Sequence, residues 1–437
     1  TLVSRVRERS YRSEIRDCQD LYRQELSESD RESTQLDLLN AIWERNLESI
    51  PRLRAMWRAG ELPARFSSLI EFTNVVRPMT RETLQNDLDS ATSTERPPDL
   101  RRMTGGSTAK PIQIPFWSSE LVWGRPHGWT ARSWYGLSPS SRLFHLWGHS
   151  HLLGTGATGW INARKRELYD RLLGYRRHSA YDLRPQAMRS AIRSLIEFRP
   201  DYILGYSVAL DLMARESADF QSEIQELGLK VAIGTAESFP SDSSESMIRD
   251  AWACPVAMEY GAVETGIVAH THPTGGYQVF WRSFLLEAEA SLDGPRKLRV
   301  TSLYPRSLPL VRYEIGDEVM YSRDTERNAV GLDRFDRVVG RCNDYVELAN
   351  GRLIHSEAFS HAVRPVASIR GFQVYQDSVD LTLRYTARTP LTQRDRSGIR
   401  DRLGRIDSLL ESIDFEEVDA LEQTVAGKTR MVVRHDK

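Results

Sequence analysis

The chain is poor in cysteine and lysine, has almost no net charge, and contains no long apolar run. Its three cysteines, Cys18, Cys254 and Cys342, lie far apart and form no CxxC pair. That argues against a disulfide framework and a thiolate zinc site, and reduced thiols fit a cytoplasmic compartment. No stretch approaches the ~18 to 20 consecutive apolar residues that a bilayer-crossing helix needs. The first thirty residues are charged and lack an apolar signal core, so a soluble, intracellular protein with no membrane role is expected. The 59 Lys plus Arg against 60 Asp plus Glu leave a net charge of -1, and no bulk attraction draws the chain to nucleic acid or anionic lipid. Only six residues are lysines. A lysine beside glycine in a loop-like stretch is therefore less easily dismissed as surface charge, and Lys110 and Lys428 are of that kind.

What is present is length: 437 residues, 40% hydrophobic and 27% charged, more than one core usually supports and enough for two or three packed units. Leu39, Ile42, Trp43, Leu47, Ile50, Leu53 and Trp57 recur at helical spacing, which predicts one apolar face in a helical opening. Thr80, with Glu82 behind it, predicts a helix start, and residues 92–106 read as a loop. Short apolar runs then alternate with helical ones: PIQIPFW, helices near 186–197 and 206–217, KVAIGTA and PVAMEYG. This is the pattern of an α/β layer with a mostly parallel sheet, whose ligands sit at the carboxyl ends of strands. YQVFW, FLLEAEA and KLRVTSLY predict an antiparallel sheet or small barrel. GFQVYQ and VDLTLRYTA read as paired strands, followed by Ile399, Leu403, Ile406 and Leu410 on a helix. A boundary near residue 340 divides a core of residues 1–339 from a small α+β domain of residues 340–437.

Five motifs carry chemistry. In Thr104-Gly105-Gly106-Ser107-Thr108-Ala109-Lys110, glycines free the backbone amides while hydroxyls and an ammonium supply donors for a polyphosphate; a Ser/Gly surface loop has the same composition. Tyr260-Gly261-Ala262-Val263-Glu264 follows a buried run, where an aromatic ring can stack a base and a carboxylate can hold a metal ion; an ordinary strand-to-loop turn fits as well. In Arg312-Tyr313-Glu314-Ile315-Gly316-Asp317 and Gly340-Arg341-Cys342-Asn343-Asp344, a carboxylate after glycine can accept both ribose hydroxyls, and a guanidinium can pair with phosphate or carboxylate. Gly427-Lys428-Thr429-Arg430 closes the series.

In this order, with Gly234-Thr235-Ala236-Glu237 between the first and second, the motifs resemble the adenylate-forming superfamily of acyl and aryl ligases. The match is nearest the phenylacetate-coenzyme A ligase branch and its capsule-biosynthesis relatives, and it spans residues 70–432. The resemblance implies an α/β fold with a large multi-layer amino-terminal domain and a small mobile α+β carboxyl-terminal domain. It also implies attack of a carboxylate on the α-phosphorus of ATP, release of pyrophosphate, and displacement of AMP by a nucleophile. By position, Ser107, Thr108 and Lys110 match the phosphate loop, Glu237 and Tyr260 the adenine walls, and Glu264 the magnesium-linked glutamate. Asp317 matches the ribose aspartate, Arg341 the arginine that follows the core, and Lys428 the lysine that bridges carboxylate and α-phosphate.

Ala109 replaces a glycine of the family's phosphate loop, Asn343 stands where an acidic residue is usual, and VELANGRLIHSEAF is less glycine-rich than the loop lining the thioester tunnel. The aromatic and glycine-rich stretch LFHLWGHSHLLGTGATGW is expected to wall the acyl pocket through Trp147, His149 and His151. Its HxxxHxH spacing, starting at His145, is a poor zinc signal without a fourth ligand. His270 and His272 can approach the Glu264 loop or serve the core. The expected reaction is ATP- and Mg²⁺-dependent activation of an aryl or planar carboxylic acid, with coenzyme A as acceptor. An amine, a carrier-protein thiol or a small inorganic acid such as nitrite are alternatives, as is a non-catalytic nucleotide-binding relative. A homodimer is compatible with the sequence.

Overall fold

The computed structural model describes residues 2–23, 26–103, 112–147, 156–180, 183–241, 243–289, 296–321, 329–339, 345–363, 365–366, 368–422 and 431–435. Two compact units emerge: Thr1–Arg102, Ile114–Ala180 and Arg189–Arg341 form the larger, and Met103–Gln113, Tyr181–Met188 and Cys342–Lys437 the smaller.

The larger unit opens with helices α1 (Leu2–Arg23), α2 (Glu28–Ser49), α3 (Pro51–Arg58), α4 (Leu69–Val75), α5 (Arg81–Asn86) and α6 (Leu88–Ala91). The expected single face from Leu39 to Trp57 is broken. Ile50 is extended and Pro51 starts α3, because proline has no amide to continue the ladder and suits a first turn. Trp57 is 39% exposed, while the other six pack with Phe66, Phe72, Leu285, Leu303 and Val311. Thr80 caps α5, accepting from the Thr83 amide. Within the stretch read as a loop, β1 (Leu100–Met103) pairs with β2 (Gln113–Phe116).

Strand and helix then alternate: α7 (Leu121–Ser133), β3 (Leu143–Trp147), α8 (Gly156–Leu173), β4 (Tyr175–Ser179), α9 (Pro185–Phe198), β5 (Tyr202–Tyr206), α10 (Ser207–Arg215), α11 (Gln221–Gln225), β6 (Val231–Thr235), α12 (Ser244–Trp252) and β7 (Val256–Ala262). Parallel neighbours require such crossovers. The parallel order β4-β3-β5-β6-β7 reverses direction between β3 and β5. That reversal is the switch point at which open α/β sheets bind ligands.

Beyond β7 the chain turns antiparallel through β8 (Gly266–Thr271), β9 (Tyr277–Val279), β10 (Phe284–Ala288), β11 (Arg296–Ser302), β12 (Tyr313–Met320), β13 (Ala329–Val330), β14 (Arg334–Phe335) and β15 (Arg337–Val339). A separate antiparallel sheet has the order β13-β10-β11-β12-β15. The YQVFW strand, expected there, instead extends the first sheet: β8 and β9 pair as a hairpin, turned by Gly275 and Gly276 at φ +98° and +70°, a conformation that glycine adopts without steric cost.

The smaller unit contains the hairpin β16 (Tyr345–Glu347) and β17 (Leu353–His355), then α13 (Ser356–Val363), β18 (Ile369–Asp377), β19 (Asp380–Ala387), α14 (Gln393–Gly404), β20 (Asp414–Glu417) and β21 (Val432–His435). β18 and β19 pair antiparallel, as the sequence predicts, in a sheet of order β20-β19-β18-β21. The expected helix through Leu410 ends at Gly404. Asp407 caps a separate 3-10 turn, Ser408–Ser412, which still delivers Leu410 to the core beside Ile399, Leu403 and Tyr385. Among the described residues no helix is long and apolar enough to cross a membrane.

Candidate active site

Glu264 stands in the turn of the β7–β8 hairpin. The register shifts between Tyr260 and Gly261, and a Cβ on Gly261 would lie 2.0 Å from the Gly266 carbonyl oxygen, so the motif glycine is a steric requirement. Gly266 takes φ +71°, and the Thr265 hydroxyl accepts from the Ala262 amide at 2.9 Å. The Glu264 carboxylate, 5% exposed, accepts from Arg81 Nη1 at 3.2 Å and from the Tyr313 hydroxyl at 3.3 Å. Both bonds land on Oε1; Oε2 takes part in neither. Behind it, Arg306 donates to the Glu264 backbone carbonyl and pairs with buried Glu120 at 3.1 Å.

Asp317 faces the same hairpin. The Tyr260 hydroxyl donates to Asp317 Oδ2 at 3.1 Å, and the Tyr260 ring is held edge-on to Tyr277 and Phe335. In β12, Glu314 pairs with Arg299 and Glu318 with Lys297, so three residues oppose Leu298 alone. Gly316, at φ +87°, sits within this bulge. Two extra residues preserve the alternation of faces while bending the strand, so Tyr313 and Asp317 both reach the hairpin, one to Glu264 and the other to Tyr260.

Arg312, offered by its motif as a partner for phosphate or carboxylate, has another use. It is 5% exposed, pairs with buried Glu287 at 2.7 Å and donates to the Thr73 and Val76 carbonyls. Together with the Met79–Tyr313 bridge, it locks the α4–α5 connection to β12. That lock carries Arg81 to Glu264. No local signal marks Arg81, Arg306 or Glu120, because their contacts span most of the unit. Tyr313 lies inside a quoted motif, but only the fold gives it a partner.

Glu237 follows β6. Its Oε1 accepts from the Val208 amide at 3.2 Å and its backbone carbonyl from the Ser207 hydroxyl at 2.8 Å, a carboxylate at the start of α10 where the helix dipole favours it. Trp147 ends β3, half-buried, its ring 4.7 Å from His145 and 5.1 Å from Tyr206. His145 itself is buried against Arg177. His270 is also buried, whereas His272 bonds Thr274 on the exposed hairpin turn. Among the described residues no group of three or more His, Cys, Asp or Glu is arranged to hold a metal. Ser107, Thr108, Lys110, His149, His151, Arg341 and Lys428 lie outside the described residues.

An α/β layer with an antiparallel sheet and a small α+β unit is the fold of the adenylate-forming ligases. No family model matches the chain. It is 21% identical over 376 residues, 83% of its length and 80% of the relative's, to protein CapK of Staphylococcus aureus. Among solved structures it resembles 2-hydroxyisobutyryl-CoA ligase with 2-HIB-AMP and CoA in the thioesterification state: TM-score 0.61 and 16% identity, covering 94% of this chain and 90% of that one. The same ligase in the postadenylation state with R3-HIB-AMP gives a TM-score of 0.56 with the same coverage.

Proposed function

We propose that the chain is an AMP-forming ligase that activates a carboxylic acid with ATP and passes the acyl group to a nucleophile. The observation that carries this reading is the pair of contacts from β12 to the hairpin, Tyr313 to Glu264 and Asp317 to Tyr260, in a fold whose solved relative holds an acyl-adenylate and CoA. Asp317 would accept the ribose hydroxyls, with Tyr260 and the segment at Glu237 beside the base. Ser107, Thr108 and Lys110 would wrap the phosphates, and Arg341 would follow the core to the nucleotide. Lys428 would bridge the acid and the α-phosphate, a positioned ammonium where two anions must approach. Glu264 is a fitting ligand for Mg²⁺: a buried carboxylate with one oxygen held by the protein. The ion, when bound, neutralises charge on the phosphates.

The acid is aryl or otherwise planar in this reading, because Trp147 and Tyr206 stand at the switch point, and coenzyme A is the first acceptor to test. An amine, a carrier-protein thiol or a small inorganic acid is the second. Retention of Glu264 and Asp317 in one connected site disfavours a non-catalytic relative. ATP–pyrophosphate exchange across a panel of acids tests the reading, and addition of coenzyme A then sorts the acceptors. Lys428→Ala should keep ATP binding and lose exchange by roughly 10²- to 10³-fold, the usual effect of removing one transition-state donor. Undiminished exchange would remove Lys428 from the chemistry.

A further inference from the structure

Arg81 enters the proposed reaction only as a neighbour of Glu264, yet its placement fits a second use. It is the first residue of α5, directly after the Thr80 cap, and the Met79–Tyr313 bridge ties that helix start to β12. Its bond from Nη1 to Glu264 Oε1, at 3.2 Å, takes one of a guanidinium's several donors. The Arg81 side chain is 24% exposed and that of Glu264 7%, so the arginine is the partner nearer solvent. Tyr313, 2% exposed at the start of β12, donates its hydroxyl to the same oxygen at 3.3 Å. Of the two donors on Oε1, one is fixed in a strand and the other ends a long, jointed side chain.

The phosphate motif begins close to this carboxylate's support. Arg306 donates to the Glu264 carbonyl and pairs with Glu120, whose Oε1 accepts from the Ser307 amide at 3.0 Å. Burial lowers the pKa of Arg102, and the charges of Glu120 and Arg306 act on it next, which sets Arg102 beside that pair. Its guanidinium lies 3.6 Å from the centre of the Phe116 ring. Arg102 stands two positions before Thr104, so the chain enters the phosphate motif from beside the support of Glu264.

In the reading above, Glu264 offers Oε2 to a divalent cation. A guanidinium and a divalent cation on the two oxygens of one carboxylate repel each other at short range. An anion between them removes the conflict. The β- and γ-phosphates of ATP are such an anion, and the planar fork of arginine matches paired phosphate oxygens.

We infer that Arg81 is a phosphate-binding residue: it rests on Glu264 until ATP enters, then turns to the β- and γ-phosphates while Tyr313 keeps Oε1 in place. The inference rests on the ligase reading. When the acid's oxygen bonds to the α-phosphorus, the bond from that phosphorus to the β-phosphate oxygen breaks and its electron pair leaves with pyrophosphate. The Arg81 guanidinium meets that charge, and no proton moves to or from it.

Calorimetry on the 437-residue chain, with ATP and AMP each titrated in EDTA and in Mg²⁺, tests this. AMP lacks the phosphates in question, and EDTA removes any effect routed through the cation. Arg81→Gln should weaken ATP by about tenfold or more in both media, the usual scale for a charged hydrogen-bonding pair, and leave AMP unchanged. The loss should persist in EDTA on a Glu264→Gln background, where Arg81 has no carboxylate to neutralise. Should Arg81→Gln not fold, Arg81→Lys carries the same test, since an ammonium lacks the fork and should weaken ATP alone. ATP affinity unmoved in EDTA, equal losses for ATP and AMP, or a loss that vanishes beside Glu264→Gln would make Arg81 a structural partner of Glu264 and overturn the inference alone. An unaltered chain that binds neither nucleotide overturns the ligase reading, and this inference with it.

Discussion

At the scale of single residues, the site divides into side chains that meet ligand and side chains that hold others in place. On the proposed reading Asp317 would belong to the first group, its carboxylate accepting from the Tyr260 hydroxyl. Asp317→Ala should weaken ATP or AMP binding by roughly tenfold or more, as expected when a charged hydrogen-bond acceptor is lost; wild-type affinity by calorimetry would remove it from the nucleotide site. Arg312 belongs to the second group although it sits in the same motif, because Glu287 and two carbonyls consume its guanidinium. Sequence order alone separates these roles poorly. An arginine, a glycine and an aspartate in one short motif look equally suited to a nucleotide, and only burial shows which of them faces inward.

At the scale of elements, two glycines explain why the motifs read as they do. Gly316 permits the β12 bulge, and Gly261 permits the tight hairpin that presents Glu264. With only 2.0 Å between a Cβ at position 261 and the Gly266 oxygen, Gly261→Ala must open the hairpin. That should separate Glu264 from Tyr313 and Arg81, reducing pyrophosphate exchange at least tenfold as well as lowering Tm. Full activity with an unchanged melting curve would show that the turn tolerates widening. Within the parallel layer, β6 and β7 and the helices α9 and α10 were legible as apolar runs and helical spacing, and the β18–β19 hairpin was legible in the same way; β3, β4 and β5 were not, and PIQIPFW, expected in the layer, pairs with β1 in a separate sheet. The sheet membership of β9 was not legible, since two glycines reroute it and a three-residue strand has too little pattern to choose a partner. Nor was the break at Pro51, where helical spacing of the apolar residues continues across a point at which the backbone ladder stops.

For the whole molecule, pH reports how much polarity the larger unit has buried. His127 is 3% exposed and stacks on Phe280 at 4.3 Å; burial lowers its pKa from 6.5 to about 3. His145 and His270 shift in the same direction, burial being the largest cause in each. In all three the folded pKa lies below the unfolded one, so protons favour the unfolded chain. Stability is therefore fully present above the unfolded value and is lost as pH falls below about 6.5, a loss that for His127 continues down to about 3. Linkage gives about 1.4 kcal/mol for His127 alone between pH 7.5 and 5.5, with the other two adding to it. Carboxylates cannot account for a loss in that window, because their unfolded pKa values lie near 4. Urea unfolding at the two pH values should show the drop, and His127→Gln should reduce it by removing one titrating ring. A free energy of unfolding that stays flat from pH 7.5 to 5.5 would mean that these histidines are protonated in the folded protein.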